Sequence, residues 1–458
     1  MRLRTEWDSL GAVEVMEPNL WGAQTQRALH HFDISTECMP HALIRSLALI
    51  KQCAARANES LGLLDVHFAE AIESAAGEVL EGQHDNQFPL SVWQSGSGTQ
   101  TNMNMNEVLA RRATQILSKL NADNPRVHPN DHVNLGQSSN DVFPTAMHVA
   151  CATEVTRHLL PALAVLRATL QAKSQYYSNL IKIGRTHLQD AVPLTVGQEL
   201  SAYESQIAHA SLGIEHALEQ VFELPVGGTA VGTGLNTHPR FGQTMAELLS
   251  ASTNVPFKVA ANRFGGIAAH DALVGLHGAL KTTAVALMKM ANDLRWLASG
   301  PDCGLSEMIL PANEPGSSIM PGKVNPSQCE AMMMVCCQVM GNDVAVGVAG
   351  ASGNLQLNTF KPLLAHNVLQ SIRLLADAST SFHEHCVQGM KANVKHIEEM
   401  RNRSLMLVTA LAPHVGYDRA SKIAQKAHAE GTSLREAAIG MGCEAGDFDR
   451  WVKLEQMV

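Results

Sequence analysis

Residues Ile267 to Leu297 read IAAHDALVGLHGALKTTAVALMKMANDLRWL, without a proline, and Leu273, Val274, Leu276, Leu280, Val285, Leu287, Met288, Leu294 and Leu297 fall around more than one face of a helix. A helix of about thirty residues spans about 45 Å, far beyond the usual length in globular domains. Only a bundle can use that length. Cover from neighbouring subunits and cover from one chain's own core fit the pattern equally well. Four other stretches show helical spacing: Pro144 to about Tyr177, with Leu159, Leu160, Leu163, Leu166 and Leu170 and with Pro161 placed to kink it; Pro193 to about Val221; Pro326 to about Val348; and Leu363 to Met390. The chain is predicted to be mainly α, a long central helical bundle with smaller N- and C-terminal domains. The domains are expected at 1–137, 138–392 and 393–458, the first mixing short apolar segments with polar loops into an irregular structure.

Composition supports this reading. Hydrophobic residues make up 45% of 458 positions but aromatics only 4%, a balance that favours helix-on-helix packing over sheet sandwiches. The formal charge of −9 argues against nucleic acid and anionic membrane as partners, since both need a basic face. Nine scattered cysteines show neither CxxC nor Cys/His ligand spacing, so no disulfide framework, zinc site or other metal is expected, and a reducing cytoplasm fits. The start, MRLRTEWDSLGAVEV, lacks the apolar core of a signal peptide. Charged residues or histidines interrupt every apolar helix, so no run is expected to approach a membrane span.

Four polar clusters carry the chemistry: SGSGTQTN at Ser95 to Asn102, HPNDHVNLGQSSND at His128 to Asp141, KIGRTHLQDA at Lys182 to Ala191, and GSSIMPGKVNPSQCE at Gly316 to Glu330. Any one of them reads as a turn or a helix cap, because Ser, Asn, Asp and Gly are the usual turn residues. Four of them, each joined to a long helix, point to a shared site. Hydroxyls and exposed backbone amides suit a carboxylate-bearing ligand, and a dicarboxylate fits. In the last cluster Gly316 and Gly322 free the backbone and Lys323 supplies a point charge. Asn325 and Pro326 read as N-cap and first helical residue, aiming a positive helix end at the loop. His187 is the leading acid or base, since histidine titrates near neutrality, although a lone histidine is more often structural. Glu330, near its helix N-terminus, is either a dipole-stabilising carboxylate or the partner of His187.

These motifs, together with WGAQTQR at Trp21 to Arg27 and GGTAVGTGLNTH at Gly227 to His238, closely resemble the class II, iron-independent fumarate hydratases of the fumarase/aspartase superfamily, essentially end to end. GSSxxPxKxN marks the superfamily. The finer choice rests on GKVNPSQCE, where aspartases tend to read AKVNPVIPE, and on SGSGTQTN and GRTHLQ. The resemblance implies the fumarase/aspartase fold, a homotetramer built around a multi-helix core, and reversible anti addition of water to fumarate giving (S)-malate, a step of the tricarboxylic acid cycle, through an aci-carboxylate carbanion. It implies no cofactor, a small dicarboxylate substrate, and active sites shared by three subunits; aspartate ammonia-lyase, or another superfamily lyase releasing fumarate, is the alternative.

Carried over motif by motif, Ser317 is the catalytic base, and His187, assisted by Glu330, handles the water on the opposite face. Ser97, Gly98, Thr99, Ser138, Ser139, Asn140, Thr186, Ser318, Lys323, Val324 and Asn325 bind the substrate, and His128, Pro129, Asn130 and Asp131 form a second anion site. Leu135, Gly136, Gly265, Gly266 and Asp302 depart from the family's usual residues, none at a carried-over catalytic position.

Overall fold

The computed structural model describes residues 2–120 and 126–458, so part of the expected 1–137 domain, residues 1 and 121–125, lies outside the described residues. The long helices are Ser139–Glu154 continuing through Leu160–Tyr176, Val196–Val221, Asp271–Leu297, Ser327–Ala351 and Lys361–Phe382. Their ends differ from expectation for local reasons. Ser138 and Asp141 form a reciprocal capping box, which starts the first helix ahead of Pro144 and leaves that proline inside it. Val155–Leu159 widen into a π turn just before Pro161, the adjustment by which a helix absorbs a missing N–H. Pro193 starts no helix; it lies in the strand Gln189–Thr195, paired antiparallel with Ile181–Thr186, and a two-stranded ribbon tolerates proline because each strand is an edge. Among the described residues the strands form five two-stranded sheets.

The segment expected to be irregular contains three long helices, His41–Ser60, Val66–Leu80 and Thr99–Leu120. The first two bury many alanines, as in Ala54, Ala57, Ala69 and Ala75, and the third buries polar residues such as Asn102, Asn104 and Asn106, so helical spacing is weakly marked in the sequence. A second expectation is also corrected. Ser139–Tyr176 and Ser327–Ala351 are long and apolar enough, with window hydropathies of 1.3 and 1.4, to cross a membrane by length and composition alone. Core helices of soluble proteins pass the same test.

Close contacts divide the chain into two units, a partition different from the three consecutive domains read in the sequence. One comprises Met1–Pro161, Ala210–Ala284 and Cys336–Ala376; the other comprises Ala162–His209, Val285–Val335 and Asp377–Val458. In the first, His41–Ser60 packs against Val66–Leu80 and Ser139–Glu154, burying Leu43, Leu47, Ile50, Ile72, Phe143 and Met147. Truncating one such leucine to alanine costs about 2–5 kcal/mol. In the second, Leu411, Ile423, Ala427, Leu434, Ala438 and Phe448 form a C-terminal cluster, with Trp451 stacked on His414 at 4.6 Å between ring centroids.

Candidate active site

In the first unit two helix N-termini lie side by side. The Thr99–Leu120 helix follows SGSG, where Ser95 Oγ lies 3.0 Å from Ser97 Oγ, and Ser97 Oγ 2.8 Å from Thr99 Oγ1. Both glycines are required there: a Cβ on Gly98, whose φ is +76°, would meet the Phe143 ring at 2.3 Å, and one on Gly96 would fall 1.3 Å from the Thr359 carbonyl oxygen. Asn102, one turn along, donates to Ser139 Oγ at 2.9 Å, tying this start to that of the Ser139–Glu154 helix. Ser97, Gly98, Thr99, Ser138, Ser139 and Asn140 therefore gather where two helix dipoles place positive potential, a setting suited to carboxylates.

Two buried charges support them. Asp141 is fully buried and accepts from the backbone N–H groups of Ser138 at 2.9 Å and of Gly227 and Thr229 at 3.0 Å. Burial pushes its carboxyl above the usual range, while those hydrogen bonds and Lys51 pull the other way. Asn140 donates to the Ala230 carbonyl at 2.9 Å, so the Gly227–Asn236 loop is held from both residues. Lys51, likewise fully buried, donates to Asn134 Oδ1 at 2.9 Å and Gln137 Oε1 at 3.0 Å, and burial lowers its ammonium to about 7 against the pull of Asp141. Sequence reasoning passed over Lys51, although a lysine four residues after Leu47 and three before Ala54 on an apolar helix face is a readable signal.

His128 caps the short turn Pro129–Val133: its Nδ1 accepts from Asn130 N at 3.3 Å and Asp131 N at 3.1 Å, with the Asp131 carboxylate 3.1 Å away. Gly136, one of the departures, has φ +70°, a conformation that favours glycine.

In the second unit Thr186 and His187 stand at the tip of the hairpin 181–195. His187 and Leu188 are both exposed, with φ of 56° and 60°. Beneath the tip, Arg185 Nη1 reaches Glu307 Oε1 at 2.9 Å, Lys182 Nζ lies 2.7 Å from Glu307 Oε2, off the hydrogen-bonding direction, and Lys182 donates to both Glu199 oxygens at 2.7 and 2.8 Å. Lys182 and Glu307 have side chains 2% exposed, which fixes the hairpin's base rigidly.

The Gly316–Asn325 loop closes on itself. Gly316 N donates to the Lys323 carbonyl at 3.0 Å, and a Cβ on Gly316 would fall 2.2 Å from that oxygen. Asn325 does not cap the following helix as expected; its amide donates to the Gly316 carbonyl at 2.6 Å, and the helix begins at Ser327. Ser317 Oγ accepts from the backbone N–H groups of Ile319 at 3.2 Å and Met320 at 3.0 Å. Ser318, Lys323, Val324 and Glu330 are exposed. Among the described residues, no hydrogen bond or ion pair joins His187 to Glu330.

A family model described as a lyase matches residues 11–341, and one described as the fumarase C C-terminus matches 407–458. The chain is 59% identical to the class II fumarate hydratase of Chromobacterium violaceum over 457 residues, covering 100% of this chain and 99% of the relative. The chain belongs to the class II fumarate hydratases. The class II fumarate hydratase of Nitrosomonas europaea is also 59% identical, over 99% of this chain and 98% of its own. Among solved structures, a recombinant class II fumarase from Schistosoma mansoni superposes with a TM-score of 0.96 at 48% identity, covering 100% of this chain and 99% of that one. Class II fumarate hydratases thus share with this chain the whole length over which the four polar clusters are spread.

Proposed function

We propose that the chain catalyses the reversible anti addition of water to fumarate, giving (S)-malate, with Ser317 as the base. The observation that carries this reading is the pair of backbone N–H groups donated to Ser317 Oγ. A serine hydroxyl is a poor base at its free pKa, and two fixed donors stabilise the alkoxide that makes it one. Ser317 takes the proton from the carbon beside one malate carboxylate, and the electron pair spreads into that carboxylate. His187, assisted by Glu330, protonates the departing hydroxide on the opposite face, and in the other direction takes a proton from the attacking water. Ser97, Thr99, Ser138, Ser139, Asn140, Thr186, Ser318, Lys323 and Asn325 hold the carboxylates and hydroxyl, and His128 to Asp131 form an outlying anion site. The enzyme needs no cofactor and acts in the cytoplasm, in the tricarboxylic acid cycle.

The site is completed by assembly into a homotetramer. On the Ser327–Ala351 helix the exposed residues Glu330, Met334, Cys337, Gly341, Val344, Val348 and Ala351 recur at alternating spacings of four and three, one continuous stripe of coiled-coil periodicity. Met334 and Val344 are each 68% exposed, and a Cβ at Gly341 would meet nothing within the chain. An apolar stripe of this length is a helix-packing seam. Glu330 lies at its end, so the carboxylate faces a neighbouring subunit, the expected source of His187. The test is fumarate absorbance with malate and aspartate supplied separately; turnover of malate supports the reading, and turnover of aspartate alone sinks it.

A further inference from the structure

We propose that Lys51 is a positioning residue that sets the direction of a hydrogen-bond relay ending at Ser139, so that the Ser139 hydroxyl hydrogen points outward to a substrate carboxylate; this rests on the dicarboxylate reading above. The relay begins at Lys51, whose two contacts are both donations. Lys51 Nζ gives hydrogens to Asn134 Oδ1 and Gln137 Oε1, at 2.9 and 3.0 Å. The far ends of both amides are tied to carbonyls. Asn134 Nδ2 donates to the Gln137 carbonyl at 3.2 Å, and Gln137 Nε2 to those of Val133 at 3.1 Å and Leu135 at 3.2 Å. Exchanging oxygen for nitrogen in either amide would set N–H against N–H at one end and oxygen against oxygen at the other.

With Asn134 Oδ1 fixed as an acceptor, Asn102 has to face it with nitrogen. Its Nδ2 donates to Asn134 Oδ1 at 3.3 Å and to Ser139 Oγ at 2.9 Å. Asn102 is fully buried and its Oδ1 has no partner. It keeps this orientation although its oxygen goes unmatched, which shows how firmly the neighbour dictates it. Ser139 Oγ is therefore an acceptor from below. Its own hydrogen remains to be given, from a half-buried position at a helix start, and a carboxylate only accepts.

A double-mutant cycle tests the relay, read as KM for malate and as calorimetric binding of a saturated four-carbon dicarboxylate. In the parent, Ser139→Ala weakens both by about tenfold, the loss of one hydrogen bond to a charged group. Lys51→Met weakens both by about tenfold with kcat little changed, and adding Ser139→Ala to it costs less than about twofold more. Losses that multiply independently overturn the proposal, since a lysine acting only in packing would leave the serine's contribution intact. Asn134→Ala, which breaks the relay at its middle while keeping the buried cation and its bond to Gln137, gives the same uncoupling; independent losses there overturn it too, and this arm stands if Lys51→Met does not fold. A parent that binds no dicarboxylate sinks the proposed function itself, whereas a parent that turns over malate without coupling sinks only the relay.

Discussion

His187 and Leu188 are consecutive residues that both hold left-handed backbone conformations, φ 56° and 60°, between the paired residues Thr186 and Gln189. Two positive φ values in a two-residue hairpin turn are normally supplied by asparagine and glycine. A leucine there stores strain of about 1–3 kcal/mol, and strain of this kind clusters at sites where a side chain must be aimed.

Leu188→Gly is therefore expected to raise the unfolding free energy by about 1 kcal/mol while lowering turnover, because the imidazole loses its fixed aim. Chemical denaturation and initial rates measure the two effects. A destabilised variant would show that the leucine carries no strain.

His187→Asn leaves the turn intact, since asparagine tolerates the left-handed region, and is expected to cut kcat by about 10²–10⁴-fold. Ser317→Ala should do the same without changing the melting temperature, because the freed N–H groups of the exposed residues Ile319 and Met320 are taken up by water. A parent-like rate in either variant removes that residue from its role.

Asp141→Ala leaves three backbone N–H groups without their acceptor, those of Ser138, Gly227 and Thr229. The expected cost is about 2–5 kcal/mol, read as a lower urea midpoint. An unchanged midpoint would mean that the Gly227–Asn236 loop is held by Arg263, which donates to the Gly227 carbonyl at 2.9 Å.

Acid sensitivity has a nameable source in Glu78. The Arg112 guanidinium, donating at 2.6 and 2.7 Å, and then His84 hold its carboxyl down to about 2, against the opposing effect of burial. A depressed folded-state value means stability fully present above the unfolded value of 4.5 and lost as pH falls from there through about 2. Arg112→Met should accordingly lower the melting temperature near neutrality, and the gap to the parent should narrow across that window. A gap that stays constant would assign the loss to packing.

The seam on the Ser327–Ala351 helix gives a mass-based test. Val344→Glu places a charge in the middle of the apolar stripe and is expected to yield smaller species by light scattering, with activity lost in parallel. Full activity in a species of single-chain mass would refute the shared site.

Much of this was readable in the residues. Asp271–Leu297 announces itself through branched and long apolar side chains, and GSSIMPGKVNPSQCE through glycine, hydroxyl and lysine at close spacing. The helices before residue 121 were missed because alanine marks a buried face faintly and because Thr99–Leu120 buries asparagines that read as polar loop. The hairpin at 181–195 was missed because its turn carries His-Leu where Asn-Gly would have signalled it. Asn325 was misassigned because a side chain that can cap a helix can equally donate to a loop carbonyl, and only the closure of Gly316 on Lys323 decides between them.

The residues proposed for catalysis sit on two separate supports, Ser317 on a loop that closes on itself and His187 on a hairpin braced by Glu307. In a shared site, damage to one support leaves the other sound. Two inert populations, one bearing Ser317→Ala and the other His187→Asn, would therefore recover part of the parent activity when dissociated and reassembled together. Defective alleles of such an enzyme can rescue one another inside a single cell, so the loss of function seen for one chain is a property of the company it keeps.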